Sequence, residues 1–255
     1  MKNKNAIVGL VRGHANPKAY HMLRRRNRLL MENYYKHNKD ADVIIFHEGN
    51  IKKEHQEELK KDIPIKFHNV GNLFKAQGSN KTNLGYKHMC RFYAMQMAPI
   101  LDKWGYEKYW RLDDDSFILK KIEYNVFKFM ENNQTVYGYI HTKIPVAPQA
   151  KLTERTLLPL VKKHMKEEDI KTKWGKINGR NHYSNFHISQ VKFWMKPEVR
   201  KFLDCIDKGQ GIYAHRWGDH IIQTLTLKLF ATEKQMKRMP WIHYNHGSHN
   251  FEVIS

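Results

Sequence analysis

The chain reads as an α/β protein with a mostly parallel central sheet flanked by helices. Through about the first 70 residues short apolar runs alternate with amphipathic segments of helical period, the layout of parallel strands with crossover helices. A hydrophobic share of 41%, with 12% aromatic residues, supports one large core in 255 residues. Three carboxylates, Asp113-Asp114-Asp115, close one apolar run at its carboxyl end, the edge where such sheets bind ligands.

Ala6 to Val11 is a buried strand that exits at Arg12-Gly13. A helix is expected from about Pro17 to Tyr35 and a second strand over Ala41 to Phe46. A polar helix around Lys52 to Lys61 leads to a third strand, Ile63 to Phe67. Gly71 to Asn83 reads as a loop. Met89, Phe92, Tyr93 and Met97 then give Tyr86 to Ile100 a helical stripe that should stop near Pro99. Glu107 to Leu112 is the fourth strand, Tyr124 to Met130 a helix and Val136 to Ile140 a strand. Thr153 to Met165 is a surface helix and Val191 to Trp194 a strand; Pro197 opens a helix to about Ile206. Asp219 to Leu229 is another helix, and Trp241 to Asn250, rich in His and aromatics, is expected as an irregular tail. No repeat, low-complexity segment or linker interrupts the chain, so it forms a single domain.

The formal net charge is +20, from 45 Lys+Arg against 25 Asp+Glu. Such a balance suits either a nucleic-acid binder or a protein that gathers small anions by steering. No zinc-finger, helix-turn-helix or RNA-recognition signature is present, and the densest cluster, Arg24-Arg25-Arg26 with Arg28, is expected on a solvated helix face. Specific nucleic-acid recognition is therefore not expected. Cys90 and Cys205 do not make a disulfide framework and are read as reduced, buried thiols. The sequons at Asn80 and Asn133 carry no weight without secretion. No transmembrane run and no signal-peptide layout are seen, so a cytoplasmic or otherwise soluble location is expected. A secretory lumen would follow if the chain were trimmed from a longer protein.

An acidic triplet between Tyr109-Trp110 and Phe117-Ile118 repels itself, and either solvent dilutes the charge or a cation belongs there. On an extended backbone Asp113 and Asp115 share one side, where they can hold a hard divalent cation, Mn²⁺ or Mg²⁺, bridged to a diphosphate. The alternative is an exposed acidic turn. His243, His246 and His249 recur every three residues, a weak metal-ligand signal in an irregular tail. Arg12, at the exit of the first strand, can meet a nucleotide base or phosphate.

At these residues the sequence resembles the fungal α-1,2-mannosyltransferases of glycosyltransferase family 15. The likeness runs from about Tyr86 to His246. Its islands are Tyr86-Lys-His-Met-Cys-Arg91, Tyr109-Trp-Arg111 with the acids that follow, Phe127-Lys-Phe-Met130, Tyr183-Ser-Asn-Phe186, Arg216-Trp-Gly-Asp219 and Tyr244-Asn-His246. The resemblance implies the A-type nucleotide-diphospho-sugar transferase fold. It also implies retaining, metal-dependent transfer of mannose from GDP-mannose to a hydroxyl of a glycan or glycoprotein acceptor. Residues from about 1 to 120 would bind the nucleotide sugar, and those from about 121 to 255 the acceptor.

Carried over by position, Asp113 stands by the metal and donor diphosphate, with Asp115 as its D-x-D partner, and of the tail histidines His246 ligates Mn²⁺. Tyr86 is the nucleophile or the stabiliser of the anomeric centre. Asp219 and Arg216 line the site; Arg91 is a further candidate on the donor and Tyr183 near a sugar, while Trp217 is core packing in preference to a sugar platform. The family commonly has Glu-Pro where Asp113-Asp114 stands, and glutamates where this chain has His187 and His215; both histidines become candidate sugar contacts. With the first of those glutamates gone, a carboxylate-nucleophile double displacement loses its nucleophile. A front-face reaction, in which the leaving diphosphate takes the acceptor proton, stays open. So do a UDP-hexose donor on the same fold, a basic nucleic-acid-binding protein and a non-catalytic glycan-binding module.

Overall fold

The computed structural model describes residues 3–75, 82–140, 142–143, 147–247 and 251–253. Asn80 and His249 lie outside the described residues.

Twelve strands are seen among the described residues: β1 (Asn5–Val11), β2 (Ala41–His47), β3 (Ile65–Asn69), β4 (Lys108–Leu112), β5 (Ser116–Ile118), β6 (Tyr137–Tyr139), β7 (Thr142–Lys143), β8 (Asn181–His182), β9 (Phe186–Gln190), β10 (Met236–Arg238), β11 (Tyr244–His246) and β12 (Phe251–Val253). Seven form one sheet in the order β10-β6-β9-β4-β1-β2-β3. The strands β4, β1, β2 and β3 run parallel, and β9 is antiparallel to both β4 and β6. The parallel strands read as continuous apolar runs because helices cover both faces. Ile7, Ile45, Trp110 and Ile188 pack on one face, and Ala6, Val8, Phe46 and Tyr109 on the other. Strands from both expected halves, β1 to β4 from the first and β6, β9 and β10 from the second, share this sheet. No described helix is long and apolar enough to cross a membrane.

Several elements differ from expectation. The run Val191–Trp194 is a single helical turn, and the strand is the preceding Phe186–Gln190. Here Phe186, Ile188 and His187 are all buried, so the polar histidine hides a strand covered on both faces. The helix opening at Leu84 does not stop at Pro99; it passes through a π-helical turn, Phe92–Gln96, and continues over Met97–Lys103. A proline there has no N–H for the carbonyl four residues back. The Arg200 guanidinium donates to that carbonyl, Met95 O, at 3.0 Å. The tail is not irregular, since β11 pairs antiparallel with both β5 and β12. Nor is the basic cluster all solvated: Arg24 and Arg28 bind Asp62, but Arg26 is 1% exposed.

Candidate active site

The site forms where β4 leaves the sheet. Asp113-Asp114-Asp115 is not extended backbone but the turn between β4 and β5, closed by Ser116 N donating to Asp113 O at 3.1 Å. Ser116 Oγ accepts from Asp113 N at 3.2 Å, donates to Asn185 O at 3.1 Å and meets Tyr244 Oη at 2.8 Å. One hydroxyl thus ties the acidic turn to the segments before β9 and within β11. Nothing in the sequence signals Ser116, because its role depends on pairing of distant strands.

Each carboxylate faces a different basic side chain. Asp113 takes a two-point contact from Arg111, Nε to Oδ1 at 2.8 Å and Nη2 to Oδ2 at 3.2 Å. Asp114 sits in the field of Arg26. Burial, then Asp113 and Asp115, push its carboxyl up to about 6, with Arg26 opposing. Asp115 Oδ1 lies 3.1 Å from His246 Nε2. The cation demanded by the triplet is therefore, in part, supplied by the chain. Arg26 is reached only because β1 carries Gly9: a Cβ there would stand 3.2 Å from Arg26 Nη2 and 2.9 Å from Leu112 O. Its three guanidinium nitrogens have no hydrogen-bond partner among the described residues, and burial pulls its pKa down to about 10 against the raising charge of Asp114.

Arg111 is the hub. Its second edge, Nη1, contacts Asp219 Oδ2, at the start of the helix Asp219–Phe230. The Tyr93 ring lies under the guanidinium, 3.4 Å from ring centroid to Cζ, and the Tyr93 hydroxyl accepts from Leu10 N at 2.7 Å. Burial alone would raise the Asp219 carboxyl, but Arg111, His220 and a Ser184 hydrogen bond hold it below its ordinary value. Asp113 goes the other way: burial lifts it despite Arg111. The sequence placed Arg111 in a motif but gave it no role; the signal was a lone cation inside an apolar strand next to three acids.

His246 arrives from β11, whose register sets it opposite Ser116, while Gly247 N donates to Asp115 O at 2.9 Å. Its Nδ1 is 3.3 Å from Tyr183 Oη. A hydroxyl both donates and accepts, so Tyr183 serves either imidazole tautomer, including the one that leaves Nε2 as a metal ligand. Two adjacent ligands of an octahedral ion of about 2.1 Å bond length stand about 3.0 Å apart, close to the Asp115–His246 spacing. The pair fits a divalent cation. Asp113 is held on Arg111 instead, and among the described residues no three His, Cys, Asp or Glu side chains converge as a metal site. Of the expected trio the structure brings Asp115 and His246 together, while Asp113 faces Arg111.

Tyr86 opens the neighbouring wall. The Arg216 guanidinium lies over its ring, 4.6 Å from the centroid. Arg216 takes a left-handed backbone, φ 58°, just before Trp217-Gly218-Asp219, which costs about 1 kcal/mol and turns its side chain over Tyr86. Burial, with Cys90 and Asp219, raises the Tyr86 hydroxyl well above its ordinary range, and Arg216 only partly opposes this. A phenolate is therefore not what the surroundings of Tyr86 favour. Both cysteines are free thiols; Cys90 is buried and Cys205 only half-buried.

The other expected site residues divide. Arg12 is exposed at the carboxyl edge beyond β1, on the same edge as the acids. Arg91 is not turned to a ligand: both arms of its guanidinium bind Asp207, at 2.8 and 2.7 Å, locking two helices together. His187 is not a sugar contact; it is 0% exposed, with Nδ1 donating to Ser184 O at 2.9 Å and Nε2 accepting from Tyr109 at 3.2 Å. The Tyr137 ring stacks on it at 4.8 Å. Trp217 is core, its indole N–H donating to Thr156 Oγ1 at 2.8 Å. His215 is half-buried beside Trp217, 6.1 Å between rings, and remains near Arg216.

A mostly parallel sheet with a ligand-binding edge of this make-up defines the A-type fold of nucleotide-sugar transferases. The mannosyltransferase Ktr4p of S. cerevisiae, solved in complex with GDP, superposes with a TM-score of 0.84 at 21% identity, over 99% of this chain and 72% of that one. Core-mannan synthase A from Aspergillus fumigatus, in its Mn/GDP form, gives 0.81 at 18% identity, over 96% and 75%. Residues 50–251 match the family described as glycolipid 2-alpha-mannosyltransferase, and the chain belongs to that family. The match begins well before Tyr86, where the quoted islands start. Glycolipid 2-alpha-mannosyltransferase 2 of Candida albicans is 31% identical over 179 residues, 64% of this chain and 37% of its own length. The chain spans less than half the length of the curated relatives it matches.

Proposed function

We propose that the chain is a retaining, metal-dependent glycosyltransferase that moves mannose from GDP-mannose to a glycan hydroxyl. The carrying observation is the Asp115–His246 pair at 3.1 Å, set on the ligand-binding edge beside the Arg111–Asp219 cluster. Membership of a mannosyltransferase family supports the sugar, and relatives solved with GDP or Mn/GDP support the nucleotide and the ion.

Asp115 and His246 would hold Mn²⁺, or Mg²⁺, with donor phosphate oxygens completing the shell. The ion supplies neutralisation of the leaving diphosphate. Arg12 and Arg216 stand where charge-assisted contacts can orient the anionic donor. Arg111 fixes Asp113 and Asp219, so neither carboxylate is free to wander. Tyr86, kept protonated, offers its hydroxyl and ring at the wall of the pocket, where it can stabilise positive charge at the anomeric carbon without bonding to it. With His187 buried in place of a glutamate, the front-face route fits best: the leaving phosphate oxygen receives the acceptor's proton. Residues after about 121 then carry the acceptor.

A screen of GDP- and UDP-sugars, with and without Mn²⁺, tests this directly. GDP-mannose should turn over only with metal, and Asp115→Asn with His246→Ala should abolish the metal response. Preference for a UDP-hexose would keep the fold and change the donor. Unimpaired turnover by the double variant would overturn the reading.

A further inference from the structure

A cleft of about 550 Å³ lies beside β8. His182 of β8 lines it, while the next residue, Tyr183, reaches His246. Its walls are aromatic: the Tyr139 and His182 rings stand 4.3 Å apart, with Trp174 6.0 Å from His182. The Trp174 indole is anchored by donating to Leu227 O at 3.2 Å. Under the floor lies Lys228, 4% exposed, whose ammonium donates to Lys176 O at 2.9 Å and Asn178 Oδ1 at 3.1 Å and pins the surrounding loop.

Two features ask for a ligand. Asn181 is 2% exposed and its amide nitrogen donates to Gly179 O at 3.2 Å, but its buried carbonyl oxygen has no partner among the described residues. Buried acceptors are almost always satisfied, so this oxygen calls for a hydroxyl or amine donor. The charge is also one-sided: Lys176 and Arg180 are exposed at the cleft, Lys228 lies beneath it, and no Asp or Glu among the described residues lines it. Flat rings suit the C–H faces of a sugar, an orphan carbonyl suits its hydroxyl, and exposed cations suit an acid.

We propose that this cleft is a subsite for an acidic sugar unit of the acceptor, one bearing a carboxylate or a phosphate, remote from the hydroxyl that receives the new sugar. The proposal rests on the glycosyltransferase reading, yet binding can be measured without turnover. The cleft names the acceptor chemistry that the catalytic edge leaves open.

The test is calorimetric titration of the full chain, without donor, using a neutral mannobioside, its 6-phosphate and a glucuronic-acid-containing disaccharide. At least one acidic sugar should bind about tenfold or more tightly than the neutral one, the scale of one charge-assisted contact. Whichever acid is preferred identifies phosphate or carboxylate. Lys176→Glu with Arg180→Glu should erase that preference, whereas Lys53→Glu with Lys103→Glu, equal in charge change but elsewhere, should keep it. Asn181→Leu should weaken all three sugars. Equal binding of neutral and acidic sugars, or a preference that survives K176E/R180E, would overturn the subsite. Failure of GDP-mannose turnover with the binding pattern intact would strike the enzyme reading alone.

Discussion

Arg111 and Asp219, 108 residues apart, form an ion pair whose side chains are 2% and 3% exposed. Neither charge has water to fall back on, so each leans on the other, with Asp113 also on Arg111 and with His220 and Ser184 also supporting Asp219. Arg111→Met would strand Asp219 and free Asp113. Breaking one side of such a pair costs about 3–5 kcal/mol, readable as a lower urea midpoint. The double variant Arg111→Met/Asp219→Leu should recover part of that loss. If it is no more stable than R111M, the pair is not the linchpin it looks.

The metal pair makes a separable prediction. Asp115→Asn and His246→Ala should each weaken Mn²⁺ binding strongly, and Tyr183→Phe, which removes only the partner of Nδ1, by about 10-fold. Titration followed by the Mn²⁺ electron paramagnetic resonance signal, with GDP present, reads all three. Wild-type affinity in H246A would remove His246 from the ligand set.

Two buried histidines tie stability to acid. Burial, then Arg111, lowers His187 to about 3; burial, then Lys228, lowers His182 to about 4. The unfolded chain takes these protons near pH 6.5 and the folded chain resists, so the unfolded state holds more protons across the interval. Stability should therefore fall as pH drops from about 6.5 toward about 4, by about 1.4 kcal/mol per pH unit for each histidine. His187→Gln should flatten the slope of Tm against pH. An unchanged slope would mean that His187 charges freely in the fold.

The helix that runs through Pro99 offers a fourth test. Arg200→Met should leave Met95 O without its donor and cost about 1–3 kcal/mol. Pro99→Ala on top of it restores a backbone N–H and should recover part of the loss. Equal stability of R200M and wild type would show that water satisfies the carbonyl.

Much of this was legible before the structure. Apolar runs such as Ala6 to Val11 and Ala41 to Phe46 mark buried parallel strands because both faces must be oily, and the alternation with helices fixes the architecture. The acidic triplet likewise marked the carboxyl end of β4, where the candidate site stands. Periodicity could not show that Val191–Trp194 is a helical turn, since a short apolar run is the same in either state. Nor could it give Arg26 its place, because a cation in an amphipathic helix reads as solvated unless the opposite strand is known to bear Gly9 and the nearby turn Asp114. Ser116, Arg111 and Tyr183 reach partners tens of positions away, so only the folded sheet discloses the roles they play.

The strand that carries His246 is translated after Asp113, Asp115, Arg111 and Asp219 have all emerged, and it docks on β5 to complete the pocket. A ribosome-bound nascent chain would thus expose an unfinished acidic turn until its closing strand appears. On the proposed reading, metal and nucleotide would act as late folding ligands, rewarding only polypeptides that have been synthesised through residue 246.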